Sequence, residues 1–415
     1  MAWFFAVAPR RAAATALTDP VPPGRQSPRF MYLYALAVSG GAVAYMPFLT
    51  LLLPLRVSAM NKAEVLTTLA IAAFVGAISA SLSNILFGWA SDVTRRRRIW
   101  IFGGLLLSSA LMVSMPYAGD TNVLIALIVC WQFGLNMMLA PLAAWAGDTI
   151  PDVQKGMLGG LLALAPALGA LSGAIVTTDM FAGFAQREAL VALLVLCMVA
   201  PVLFLGKPVA MPHLMDAKGV DIGRDDDNPK PTNPAIRMWL ARLLVQIAEA
   251  SLFAFLLLWF RSLDPRFGEN DAASIFAIVL GLSVFVALGV GTWSDRSAKP
   301  IMPLILTASL AAVGLIIMAW APNMAFAIAG YVLFGLASSI FLALHSSQTL
   351  RVLPRPHTRG RDLGIFNLTN TVPSLIMPWL TMALVPTYGF DALFILLAGL
   401  AFAASILLLT MSRRI

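Results

Sequence analysis

The sequence predicts an all-α polytopic membrane protein of about twelve transmembrane helices, arranged as two six-helix parallel repeats. Three observations carry this prediction. Hydrophobic residues fill 60% of the 415 positions and charged residues only 12%, about half the charged share of a soluble globular domain. Apolar runs long enough to cross roughly 30 Å of hydrocarbon, at about 1.5 Å per residue, recur along the chain. Several loop residues also repeat at one nearly constant offset.

The apolar runs place spans at 30–55, 65–87, 99–117, 123–146, 157–180 and 189–205 in the first half. The second half gives 235–260, 272–290, 301–320, 324–345, 363–384 and 392–411. Residues 1–29 then form a cytoplasmic N-terminal tail, 30–206 an N-terminal bundle, 207–234 a cytoplasmic linker and 235–415 a C-terminal bundle. The tail is no signal peptide, because Arg10 and Arg11 follow its short apolar stretch, Trp3 to Val7, and prolines 20, 22 and 23 come after them. The linker carries Asp225, Asp226 and Asp227 among prolines and reads as a solvated connection between halves.

A net charge of +8 and a pI near 9.9 raise the question of nucleic acid. The positions of the basic residues answer it. With both termini inside, 22 of the 28 Lys and Arg fall in cytoplasmic segments, five outside and one within a span. That asymmetry is the positive-inside rule, so the charge is topology, and no nucleic-acid partner is expected. The expected setting is the plasma membrane, the bacterial inner membrane in particular, with a lipid bilayer as the solvent of a monomeric chain. A mean hydropathy of +0.85 agrees.

Cys130 and Cys197 lie in apolar runs and are expected to pack as small hydrophobes. No disulfide or metal-ligand spacing, nucleophile and base pair or phosphate loop is present, so neither an enzyme nor a cofactor or metal site is expected. His345 with Ser346 and Ser347 reads as a packed histidine.

The repeat is the sharper signal. Gly88, Ser91 and Asp92 recur 203 residues later as Gly291, Ser294 and Asp295, and Pro151 recurs as Pro354. One residue further on, Lys155, Gly156 and Gly160 recur as Arg359, Gly360 and Gly364. An offset near half the chain, on equivalent loops, implies two parallel copies of one six-helix unit.

The loop from Gly88 to Arg98 resembles the signature of the major facilitator superfamily, G-x-x-x-D-x-x-G-R-R. Gly88, Asp92, Arg96 and Arg97 match, whereas Arg95 stands for the second glycine. In the second copy Gly291 and Asp295 match, with Ala298 for the glycine and Lys299 for arginine. The resemblance implies the superfamily's fold, a midplane site between halves, alternating access, and a role for Gly88, Asp92, Arg96, Arg97, Gly291 and Asp295 as a conformational latch. Residues 359–373 resemble the eleventh helix of members related to the sugar/cation symporters. The second span, however, lacks the carboxylates that the glycoside/cation symporters use for coupling. In the fifth span, Ala165-Pro166-Ala167-Leu168-Gly169 leading to Gly173 partly resembles the antiporter motif of drug exporters. A small-residue packing seam with a proline kink explains it equally well.

Two charged side chains are expected deep inside a span, both in the seventh: Arg242 and Glu249, with Gln246 between them. At about 100° per residue the three share one face and point into the bundle, since lipid exposure would be costly. Their rise of about 10 Å is too long for a direct pair. Tyr45, Gln132, Asn136, Tyr331, Asn367 and Asn370 are the polar groups on other helices that can complete a substrate site with Arg242 and Gln246. Glu249 is the acid placed for proton coupling. The expected activity is therefore secondary transport of a small organic solute, sugar-like by the eleventh helix, coupled to a proton or another cation. Two alternatives stand: proton-driven export of drugs or metabolites by antiport, and a non-transporting assembly factor or sensor on the same scaffold.

Overall fold

The computed structural model describes residues 24–60, 65–178, 183–215, 234–353 and 355–412. Most of the N-terminal tail, most of the linker, Pro354 and the last three residues lie outside the described residues. Among those described, the chain is helical with no strand.

The first half comprises α1 (Pro28–Met60), α2 (Val65–Thr94), α3 (Arg97–Ser114), α4 (Thr121–Thr149), α5 (Asp152–Val176) and α6 (Phe184–Phe204). The second half comprises α7 (Pro234–Leu263), α8 (Glu269–Ser297), α9 (Met302–Ala319), α10 (Met324–Val352) and α11 (Arg359–Ser412). These are eleven continuous apolar helices, but α11 makes two crossings. Its 54 residues would extend about 80 Å if straight, far beyond any bilayer. Gly389 breaks it with φ 76° and ψ 178°, a conformation that only glycine adopts easily. The packing confirms the reversal. Near the start of α7, Trp239 donates to the Ile365 carbonyl and Arg237 to the Thr410 hydroxyl, while Trp259 at its far end meets the Phe394 ring. The two limbs of α11 therefore run side by side, and twelve crossings result.

Helices outrun their hydropathic spans. α2 continues to Thr94 and α10 to Val352, each seven residues beyond the last position read from the apolar runs. Hydropathy stops where lipid stops, whereas the backbone ladder continues into the polar loop.

Prolines shape the interior of the spans. Pro47 has no N–H to give and is followed by a π turn, Phe48–Leu52, in the middle of α1. Pro166 meets the carbonyl of Leu162 and splits α5 at Ala163. The small residues after it form the seam: a Cβ on Gly169 would overlap Met46, and one on Gly173 would press Leu51 at 3.1 Å. The fifth-span motif thus packs α5 on α1.

α2 of the first half lies along the first limb of α11, and α8 of the second half along α5. The same two-fold relation was visible as the sequence repeat. Gly364 sits against the backbone of Ile85, and its counterpart Gly160 against that of Leu288, so the crossing helices touch backbone to backbone. Large apolar side chains point outward, among them Phe285 and Trp379, each about three-quarters exposed. The chain is a multi-pass membrane protein, and lipid covers this surface. Cys130 and Cys197 belong to it: both are exposed on the bundle instead of packed within it, because a thiol is apolar enough to face lipid.

Glu188, just outside the span read from hydropathy, corrects the expectation of only two charges in the bundle. The helix starts a turn earlier, at Phe184, and carries Glu188 inside with no exposure and no partner for either carboxylate oxygen among the described residues. Arg56 at the end of α1 is the nearby cation. It donates to the carbonyls of Pro116 and Ala118 and lies over the Phe184 ring.

Candidate functional site

Two loop clusters tie the halves together at one end of the bundle. The buried Asp92 carboxylate accepts the backbone N–H groups of Gly360 and Arg361, both at 2.9 Å, and Arg97 Nη2 at 2.6 Å. A helix N-terminus presents N–H groups without partners and a partial positive charge, so a carboxylate caps it. The second copy repeats the arrangement. Asp295 accepts the N–H groups of Gly156 and Met157 at 2.8 Å, with Arg351 at 3.4 Å. Each half therefore caps a helix of the other. Gly88 faces Gly360 and Gly291 faces Gly156 so closely that a Cβ on any of the four would overlap the facing carbonyl oxygen.

The two cross-half caps differ in their ion pairs. Arg97 also pairs with Asp148 at 3.0 Å, and Asp148 takes Arg359 of the other half at 2.6 Å. A chain Asp92, Arg97, Asp148, Arg359 thus crosses the interface. At the position equivalent to Asp148 the second half has Arg351, so the acid is missing there. Lys155, the counterpart of Arg359, turns to Asp152 at 2.6 Å and to the Leu350 carbonyl. Arg96 is exposed and its side chain has no partner among the described residues, so Arg97 alone supplies the basic anchor.

Arg95 and Ala298 stand where the family signature has its second glycine, and they are the only described non-glycine residues with positive φ, 56° and 51°. The turn out of α2 and α8 needs a left-handed residue, which an L side chain adopts at a penalty. Ala298→Gly is therefore expected to stabilise the protein by about 0.5–1 kcal/mol. A thermal melt of the detergent-purified variant that fails to rise would contradict this.

The second group of residues lies between the halves at mid-span. Arg242 Nη1 donates to Ser346 Oγ at 2.8 Å and lies 3.5 Å from His345 Nδ1, and its Nη2 donates to Asn370 Oδ1 at 3.2 Å. Asn370 in turn donates to Asn367 Oδ1 at 2.6 Å. His345 is buried with Nε2 2.9 Å from the Met238 carbonyl. Glu249 is half-buried and has no hydrogen bond or ion pair among the described residues. Tyr45 from α1 and Tyr331 from α10 both come within electrostatic reach of it, as does Arg242. Tyr331 is otherwise part of the aromatic core with Phe260. The Gln246 side-chain oxygen is buried without a partner among the described residues.

Gln132 and Asn136 belong to a different set. Both are buried in the first half, where Asn84 donates to Asn136 Oδ1 at 2.8 Å and Asn136 donates to the Gln132 carbonyl at 2.9 Å. They satisfy one another and Asn84, and no hydrogen bond links them to the Arg242 cluster among the described residues. Asp148 and Asn84 complete these networks without having been site candidates in the sequence, and Ser346, read there only beside a packed histidine, accepts from Arg242.

Twelve crossings in two halves related by a two-fold, with each half capping a helix of the other, form a fold of the major facilitator type. The family model described as Major Facilitator Superfamily matches residues 238–414, most of the second half of the chain. Solved structures agree on the fold. The human organic anion transporter MFSD10 (TETRAN) is 16% identical with a TM-score of 0.69, over 92% of this chain and 100% of that one. A bacterial homologue of the iron transporter ferroportin is 15% identical at 0.71, over 93% and 99%. The proton:xylose symporter XylE is 12% identical at 0.70, over 92% and 95%. No curated protein matches the chain in sequence.

Proposed function

We propose that the protein is a proton-coupled secondary transporter of a small organic solute, working by alternating access. The observation that carries this reading is the pairing of a cross-half closure with a charged site: four cross-half backbone hydrogen bonds to Asp92 and Asp295 join the halves at one end, and Arg242 and Glu249 lie inside the seventh span within electrostatic reach of Tyr45 of the other half. A rocking motion that parts α2 from α11 and α5 from α8 breaks all four bonds at once and opens that end. The similar folds include an organic anion transporter and a proton:xylose symporter, both carriers of small solutes by name. Glu249 is the coupling acid, and Arg242, Asn367 and Asn370 bind solute. Export in place of uptake is tested by the direction of flux in inverted vesicles. A sensor without flux is tested in purified proteoliposomes: absence of any solute movement there would overturn the transport reading.

The latch end faces the cytoplasm in this reading, since the loops that carry it hold most of the basic residues. Single cysteines placed between Lys207 and Asn233 are expected to resist impermeant thiol reagents added outside intact cells. Ready labelling would invert the topology.

Asp92→Asn is expected to slow transport about tenfold while solute binding persists. The amide keeps one acceptor but turns an N–H₂ toward the donors of α11, and charge-assisted hydrogen bonds to a buried carboxylate contribute about 1.5–3 kcal/mol. The loss falls on the closed arrangement alone and shifts the balance of states. An unchanged turnover rate would remove the latch role.

A further inference from the structure

We propose that the solute is a small organic monoanion, held at Arg242 through its carboxylate and carried together with one proton on Glu249. The inference rests on the transport reading and adds to it the substrate class and the stoichiometry. Its starting point is the company Arg242 keeps. The guanidinium touches a hydroxyl, an amide oxygen and a ring nitrogen, and no carboxylate lies within ion-pair distance of it among the described residues. His345 adds no charge. Its Nε2 faces the Met238 carbonyl, which only accepts, so Nε2 carries the proton and Nδ1 meets Arg242 and Thr349 Oγ1 with its lone pair. A second proton would set an N–H against the guanidinium.

Among the described residues the acid nearest along α7 is Glu249, two turns further on and about 10 Å away in rise. It too has no partner of its own among the described residues. The charged and titratable groups that face it are Arg242 on its own helix, Tyr45 from α1 and Tyr331 from α10. Without solute this group of described residues is therefore neutral, with Arg242 positive and Glu249 negative. A neutral solute leaves that balance alone and gives no reason for a proton to bind. An anion on Arg242 leaves one net negative charge in a low-dielectric space, which is costly, and one proton on Glu249 restores neutrality. Anion and proton thus raise each other's affinity by the same factor. Both the empty and the loaded carrier cross without net charge.

The donor set suits this ligand. A guanidinium fork takes a carboxylate with two parallel bonds. The Asn367 and Asn370 amides, on the facing limb of α11, offer donors and acceptors for hydroxyls beside it. Arg242 sits about 12 Å from the start of α7, on the latched side of Glu249. An anion entering from the other end passes the coupling acid before it reaches its anchor.

The test uses the purified full-length protein in proteoliposomes that contain a pH-sensitive dye, with potassium and valinomycin fixing the membrane potential. Labelled gluconate, glucuronate, galactonate and lactate are compared with glycerol, xylose and glucose. At least one anion is expected to enter saturably with one proton, at a rate unchanged by potential, while the neutral solutes stay out. Arg242→Gln should lower that uptake about 100-fold, as expected for loss of one partner of a desolvated charge pair, and Arg242→Lys, which keeps the charge but loses the fork, should restore only part of it. If the glutamine variant does not assemble, the proton count and the potential-independence of the wild type decide. Entry of neutral solutes alone, potential-driven anion entry, or unchanged anion uptake by Arg242→Gln overturns the inference and leaves the transport reading intact. Entry of no solute of either kind overturns both.

Discussion

Gly88→Val and Gly291→Val are each expected to cut transport at least about tenfold while leaving both six-helix halves folded. The Cβ of either variant overlaps a backbone carbonyl oxygen of the facing helix, at Gly360 or Gly156, and backbone cannot swing aside as a flexible side chain would. Overpacking of this kind costs typically about 1–3 kcal/mol, and each 1.4 kcal/mol is about tenfold in an equilibrium. The penalty exists only when the latch end is closed. Within its own helix each glycine is replaced by a residue of better helix propensity, so the penalty is conformational and not a failure to fold. The measurement is labelling of a cysteine at position 370, in a background lacking Cys130 and Cys197, with turnover read separately in variants that keep Asn370. The variants should react faster with impermeant maleimide from the latch end and more slowly from the opposite one. Labelling and turnover both at the wild-type level would show that the glycine contact does not limit closure.

The difference between the latches sharpens this expectation. The Gly88 latch has the chain from Asp92 through Arg97 and Asp148 to Arg359, whereas the Gly291 latch has Arg351 where Asp148 would be. The first is therefore the stronger clamp. Opening it is the larger part of the conformational free energy, so Gly88→Val should shift the labelling further than Gly291→Val.

Much of this architecture was legible because lipid and close packing write simply on a sequence. Span number follows from apolar length, and the two-fold relation from Gly88 and Asp92 recurring as Gly291 and Asp295. Gly156 and Gly360 appeared in the same repeat, but their reason did not: only the fold shows that each lies under the opposite loop. Arg96 and Arg97 look alike in a run of four arginines, and the left-handed turn at Arg95 decides which of them points back at Asp92. Polar residues inside spans were found by type, yet their partners depend on helix rotation. That is why Gln132 and Asn136 close on Asn84 within one half, while Asn370 reaches Arg242 across α7 and α11. Glu188 escaped because a window of hydropathy trims a span at its first charge, even where the helix carries that charge inside.

Glu249→Gln is expected to abolish accumulation of solute against a gradient, at least about tenfold below wild type, while exchange of labelled solute across the membrane continues. Glutamine keeps the shape of the side chain and removes its change of charge. Exchange needs only binding and the rocking of the halves, which depend on Arg242 and on the latches. Accumulation needs in addition that a proton enter and leave with the solute. A carboxylate fixed by hydrogen bonds to its neighbours would be a structural group, but Glu249 has none among the described residues. It faces a space in which the one nearby cation, Arg242, favours its charged form, while a low dielectric favours its neutral form. A group balanced in this way changes protonation when solute occupies Arg242 or when the space opens to the other side. The variant is locked in the neutral form and carries solute without a proton. Proteoliposomes of Glu249→Gln that still concentrate solute under a pH gradient to the wild-type level would show that the coupling acid lies elsewhere. The buried Glu188, beside Arg56 at the far end of the first half, would then be the next carboxylate to replace.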